Sequence, residues 1–235
     1  MSIKFEHTEV FGWIAAIRGM RNPMNSWDKS DSGWRFEERV DEENDCFFRI
    51  GPNDLELMKK LIKAGSDHSK FMRMINVTVD ITAPMYWWKE FDTYKVGTVR
   101  NSCSTMHTIC NKQFELDDFS RENLFRLDDF RVEWGDYVSI DSLNYTISRL
   151  NYWRKRYLKV KDSDPELAKK YWWQIIQLLP SSYNQRATIQ LNYAVLRNMR
   201  LTRMVHKLDE WRVGFVEWVE SLPYSELITM DGKVK

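Results

Sequence analysis

Residues 74–84, MINVTVDITAP, set apolar Ile75, Val77, Val79 and Ile81 against polar Asn76, Thr78, Asp80 and Thr82. A repeat of two is the period of a pleated strand, and this one has one apolar and one polar face, so it covers a core on one side. Pro84 ends the strand and suits the first turn of a following helix, MYWWKEFDTYK, which Gly97 breaks.

The remaining elements are arranged around that strand. A short helix is expected near Val10–Met20. Pro52-Asn53-Asp54 offers a cap before LELMKKLIKAG, whose apolar residues recur at helical spacing until Gly65 stops it. The acidic run over residues 36–46 reads as a solvated loop, and residues 129–139 as ambiguous, extended chain. From Ile140 to near Leu222 the pattern is helical. Asp162–Pro165 separates the first two helices, and Leu179-Pro180-Ser181-Ser182 separates the second from a long last one. With no convincing linker in 235 residues, the chain reads as one α+β domain spanning 1–235.

Composition narrows the function classes. A net charge of +1 gives no global case for nucleic-acid or membrane attraction. No apolar run reaches membrane-spanning length, and three cysteines at no disulfide-like spacing fit reduced thiols and a cytoplasmic setting. Cys103-x3-His107-x2-Cys110 lacks an evident fourth ligand, so no metal is expected. Phosphate-binding glycine loops, nucleophile elbows and H-E-x-x-H are all missing from the sequence.

Two stretches stand out. Between Asn184 and Leu208 there is no acidic residue, while Arg186, Arg197, Arg200, Arg203 and Lys207 all occur. Forked guanidinium donors match phosphate or carboxylate, although a basic face paired with the acidic 115–136 region explains them equally. Residues 83–107 place Trp87 and Trp88 just after the strand, with at least one facing the core. A loop rich in hydroxyls and amides follows, the kind of segment that carries sites on a rigid scaffold.

Taken together, TYKVGTVRNSCSTMH (93–107) and LPSSYNQRATIQLNYAVLRNMRLTR (179–203) resemble the flavin-dependent thymidylate synthases, the ThyX family. That family's signature runs Arg-His-Arg, two residues, Ser, one residue, Asn-Glu, one residue, Ser, one residue, Arg-Tyr. The first stretch looks like that signature rewritten, with one extra residue before Asn101. The second matches without a gap. The resemblance implies a ThyX-like fold with an antiparallel or mixed sheet flanked by long helices, assembled as a homotetramer.

Carried over by residue, the resemblance places Arg186, Arg203, Ser104, Asn101 and Glu90 at the nucleotide, with Arg203 and Ser104 closest to the chemistry. Thr93, Tyr94, Lys95, His68, Asn192 and Asn198 fall at positions for FAD, His68 one place out of register. Thr93 and Tyr94 replace the family's first Arg and its His, Ser102 replaces Glu, Met106 replaces a phosphate-contacting Arg, and Glu90 replaces a Gln. The implied activity is methylation of dUMP to dTMP with methylenetetrahydrofolate, FAD and NADPH. Two alternatives remain: a ThyX-fold protein that binds a pyrimidine nucleotide with altered or no catalysis, and a helical interaction protein.

Overall fold

Gly12 separates the first strand from the first helix because it adopts φ +96°, and a Cβ there would lie 2.0 Å from the Met74 carbonyl oxygen. In the computed structural model, which describes residues 3–37, 45–126, 129 and 138–230, β1 (Lys4–Phe11) therefore precedes α1 (Trp13–Arg21). The helix expected from Val10 starts later, since Val10 and Phe11 belong to the strand. A hairpin of β2 (Gly33–Glu37) and β3 (Asp45–Arg49) pairs antiparallel, and α2 (Pro52–Ala64) follows with Pro52 in its first turn and Gly65 after its end. The acidic loop expected at 36–46 lies largely outside the described residues.

The alternating stretch forms β4 (Asn76–Pro84), with Val77, Val79 and Ile81 buried and the intervening polar residues half-buried. It runs into α3 (Met85–Phe91), then β5 (Val99–Ser102) and the single turn α4 (Thr105–Thr108). Two long helices, α5 (Ser139–Val160) and α6 (Pro165–Leu178), pack as a pair, and the Asp164 carboxylate caps α6 through Leu167 N–H at 3.0 Å. The extended stretch expected at 129–139 is almost wholly outside the described residues.

The long last helix is a correction. Asn184–Asn192 is a strand, β6, with Ala187, Ile189 and Leu191 buried and Arg186, Thr188 and Gln190 exposed between them. Period two wins locally because the strand finds a pairing partner, and the helix α7 (Tyr193–Arg203) begins only after it. A π-helical segment over Glu210–Phe215, α8 (Val216–Glu220) and α9 (Glu226–Thr229) complete the described chain.

The main sheet has the order β1-β4-β6-β5, so the fold is α+β as expected. The chain divides into two compact units. One comprises Met1–Phe5, Asp80–Thr93 and Asn101–Thr188; the other comprises Glu6–Val79, Tyr94–Arg100 and Ile189–Lys235. In the first, Phe114, Phe119, Leu143, Ile147, Leu150 and Ile175 are the heart of the core. In the second, Trp13 packs edge-on against Tyr193 (centroids 5.3 Å apart), with Met58, Ile62, Met199 and Trp211 fully buried.

Candidate functional site

A cleft of about 610 Å³ opens in the first unit. Its floor comes from the start of β6, where Asn184, Gln185 and Arg186 meet the loop after β5. Cys103 N–H donates to the Arg186 carbonyl at 2.9 Å. The Gln185 amide donates to the Cys103 carbonyl at 3.0 Å and to the Thr105 hydroxyl at 3.1 Å. Two stretches about 80 residues apart in sequence are thus latched together by side chain and backbone.

Five basic residues line this cleft, Lys4, Lys112, Arg121, Arg126 and Arg186, against three acidic ones, Asp117, Asp118 and Glu122. Lys112 pairs with Asp118 and Arg121 with Asp117, while Arg186 pairs with Asp80 at 2.8 Å. Asp80 also accepts from Thr188 at 2.6 Å, which fixes the carboxylate that Arg186 leans on. The hydrogen bond to Asp118 raises the Lys112 pKa, so this ammonium stays charged. Tyr183 and Phe119 supply an aromatic wall, ring centroids 5.6 Å apart. Burial, with Asp118 nearby, pushes the Tyr183 phenol up and keeps it neutral. Cationic donors, threonine hydroxyls and an aromatic ring together suit a ligand with an anionic group and a planar polar ring.

The residues expected at the nucleotide are brought together in part. Arg186 lines the cleft, and Ser104 sits between two lining residues, Cys103 and Thr105, with its own side chain exposed. The Ser104 carbonyl accepts from Thr108 N–H at 3.1 Å and Thr108 Oγ1 at 2.7 Å. Asn101 is exposed on β5, and Glu90 is half-buried at the end of α3. Arg203 belongs to the second unit, buried on α7, with its guanidinium 5.0 Å from the Tyr94 ring centroid and 4.6 Å from that of Trp211. On the basic face, Arg200 pairs with Glu220 at 2.6 Å.

Among the residues expected at the flavin, several use their polar atoms in hydrogen bonds within the protein. Asn192 Oδ1 caps α7 through Val195 N–H at 3.1 Å. The Tyr94 hydroxyl bonds Thr202 Oγ1 at 3.0 Å, and Thr93 Oγ1 donates to the Glu90 carbonyl at 2.7 Å. Lys95, His68 and Asn198 are exposed. Both tryptophans after β4 are core: Trp87 is fully buried and stacked on Phe91 (5.4 Å, 21°), and Trp88 Nε1 donates to the Ala83 and Gln185 carbonyls. Cys103 and His107 are exposed while Cys110 is buried, and no cluster of three metal-ligating side chains occurs among the described residues.

Sequence reasoning missed Lys4, Lys112, Arg121, Arg126 and Tyr183. Lys112, Arg121 and Arg126 lie in or beside an acidic segment that hid them. A local count of arginine and lysine within 112–126 is the signal that could have found three of them.

No family model and no curated protein matches this sequence. Solved structures match its fold along nearly its whole length. A flavin-dependent thymidylate synthase ThyX from Helicobacter pylori, complexed with FAD and dUMP, superposes with a TM-score of 0.63 at 17% identity, covering 97% of this chain and 98% of that one. A second structure of that enzyme with FAD and dUMP gives 0.61 at 16%, covering 97% and 99%. A UMP/dUMP methylase, PolB, from Streptomyces cacaoi bound with 5-Br dUMP gives 0.54 at 15%, covering 99% and 96%. The chain is therefore ThyX-like in fold.

Proposed function

We propose that this protein binds a pyrimidine nucleoside monophosphate, dUMP or UMP, in the cleft of its first unit. The observation that carries the reading is the latch between the Cys103–Thr105 loop and Gln185-Arg186. It brings the two stretches that resemble ThyX nucleotide-binding sequence to one basic, aromatic-walled cleft. The full-length likeness to enzymes solved with dUMP or its 5-bromo analogue supports the same ligand class. The phosphate would take Arg186 together with Lys4, Arg121 or Arg126, and the ring would lie against Tyr183.

The finer reading is flavin-dependent methylation of dUMP at C5, with methylenetetrahydrofolate as carbon donor and NADPH as reductant, by a homotetramer in the cytoplasm. The residues at the flavin positions fit that cofactor poorly. Asn192, Tyr94 and Thr93 use their polar atoms within the protein, and the family's Arg-His pair is absent.

Calorimetric titration of the purified chain with dUMP and UMP tests the proposal. Binding that weakens at least about tenfold in Arg186→Ala is expected, the size of one charge-assisted contact. No heat with either nucleotide rejects it. A parallel visible spectrum with added FAD decides the finer reading: a dUMP-dependent change in the flavin bands supports methylation chemistry, and an unperturbed spectrum removes it.

A further inference from the structure

The outer face of the α5–α6 pair carries a pattern that the nucleotide cleft does not use. On α5, Tyr145, Arg149, Tyr152 and Arg156 fall at i, i+4, i+7 and i+11, one stripe of the helix, alternating aromatic and guanidinium over about 16 Å. Tyr145 is 68% exposed and Tyr152 40%. Buried area does not explain rings held in water.

The charge around this stripe is strongly one-sided. From Arg149 to Lys170 the chain has eight basic residues against three acidic ones, although the whole protein carries a net charge of only +1. None of the eight forms an ion pair with a carboxylate among the described residues. Arg154 donates to the Cys110 and Asn111 carbonyls. The arginines of the stripe stack on rings instead. Arg149 and Arg156 lie 4.7 and 5.2 Å from the Tyr152 centroid, and Arg156 reaches Tyr171 of α6, 5.8 Å from its centroid, with Nη1 donating to the Tyr171 hydroxyl at 3.3 Å. Tyr171 in turn stacks on Trp153 (5.7 Å, 26°), which fixes this end of the stripe.

A guanidinium over a ring face still has N–H groups beyond those its protein neighbours use, and these suit a phosphate. The exposed Tyr145 ring beside such groups offers a face to an unpaired base, whereas a duplex hides its bases in the stack. An acidic protein helix would satisfy the charges and leave the rings without function. We infer that this face binds single-stranded nucleic acid, phosphates on Arg149 and Arg156, which Tyr152 positions, and a base on Tyr145. The site lies apart from the cleft residues and does not depend on the function proposed for them.

The test is fluorescence anisotropy of a labelled oligodeoxythymidylate, about a dozen nucleotides long, titrated with the full chain at rising salt. Expected are binding that weakens steadily with salt, a duplex of the same length bound more weakly, and no displacement by excess dUMP. Tyr145→Ala should weaken binding about tenfold. Arg149→Gln with Arg156→Gln should flatten the salt slope by about 1.4, the value for two phosphate contacts on a single strand. Melting temperatures near wild type establish that these exposed substitutions leave the fold intact. No binding at low salt, equal binding of the duplex, displacement by dUMP, full displacement by polyglutamate, or variants that bind like the parent would each overturn the inference.

Discussion

Arg21 Nε donates to Asp54 Oδ1 at 2.6 Å, and both side chains are almost wholly removed from solvent. The second oxygen of Asp54 accepts from the hydroxyls of Ser30 and Ser32, each at 2.6 Å, and from the N–H groups of Asp31 and Ser32 at 3.2 Å. One carboxylate thus ties α1 to the loop that leads into β2. Burial would raise its pKa, but these hydrogen bonds and the arginine outweigh that and hold it below the usual carboxylate value.

Asp54→Asn should destabilise the protein by about 3–5 kcal/mol in urea unfolding, because it leaves the buried guanidinium without its counter-charge. The sign of the pH effect follows from the lowered pKa. Asp54's contribution is full above its unfolded value, about 3.9, and is lost as pH falls through the folded one. The stability gap between wild type and Asp54→Asn should therefore close below about pH 4. A gap of constant size down to acid pH would mean the carboxylate's charge is not what the cluster uses.

Gly97→Ala tests the turn that follows α3. Gly97 has φ +75°, and an added Cβ would stand 3.0 Å from Val195 Cγ2 and 3.3 Å from Asn192 Nδ2, the residue that caps α7. Left-handed strain alone costs about 1–2 kcal/mol, and pressure on the cap adds to it. A midpoint shift in urea of that size is expected; an unchanged midpoint would show that the turn relaxes freely.

The legible parts of the fold were those whose signal is local. Val77, Val79 and Ile81 alternate with polar neighbours, and Pro52 and Gly65 bracket a helix, so β4 and α2 could be read directly. Asn184–Asn192 could not, because Ala187, Ile189 and Leu191 run straight into Tyr193, Leu196 and Met199, and the joined pattern passes for one helix. What decides it is pairing with distant strands, which no window of sequence contains. The Asp54 cluster was hidden for the same reason, its arginine lying 33 residues away. At the cleft, Arg186 stood out in the acid-free run and the Ser104 loop through resemblance, while Lys112 and Arg121 were masked by the aspartates they pair with.

Trp88 offers a test of how core and cleft are joined. Its indole N–H bridges two carbonyls, Ala83 at 3.0 Å and Gln185 at 2.9 Å. Trp88→Phe keeps an aromatic ring but removes the indole N–H and its bridge to both carbonyls, at a cost of about 1–3 kcal/mol. Because Gln185 also holds the Cys103–Thr105 loop, dUMP affinity should fall together with stability. Calorimetry that shows unchanged affinity in a destabilised variant would separate the bridge from the cleft.

Arg203 separates packing from ligand binding in the second unit. Its guanidinium is buried between Tyr94 and Trp211, and Tyr94 is itself held by Thr202. A planar cation stacked on two rings, shielded from water, is worth about 2 kcal/mol, and an ammonium on a flexible stem cannot reproduce the plane. Arg203→Lys should therefore lose nearly as much stability in urea as Arg203→Ala, although it keeps the charge. If lysine restores wild-type stability, charge alone fixes this position and the sandwich is incidental. If both variants unfold early yet bind dUMP as tightly as the parent, Arg203 is a packing residue, and the nucleotide is held by the Arg186 cleft alone.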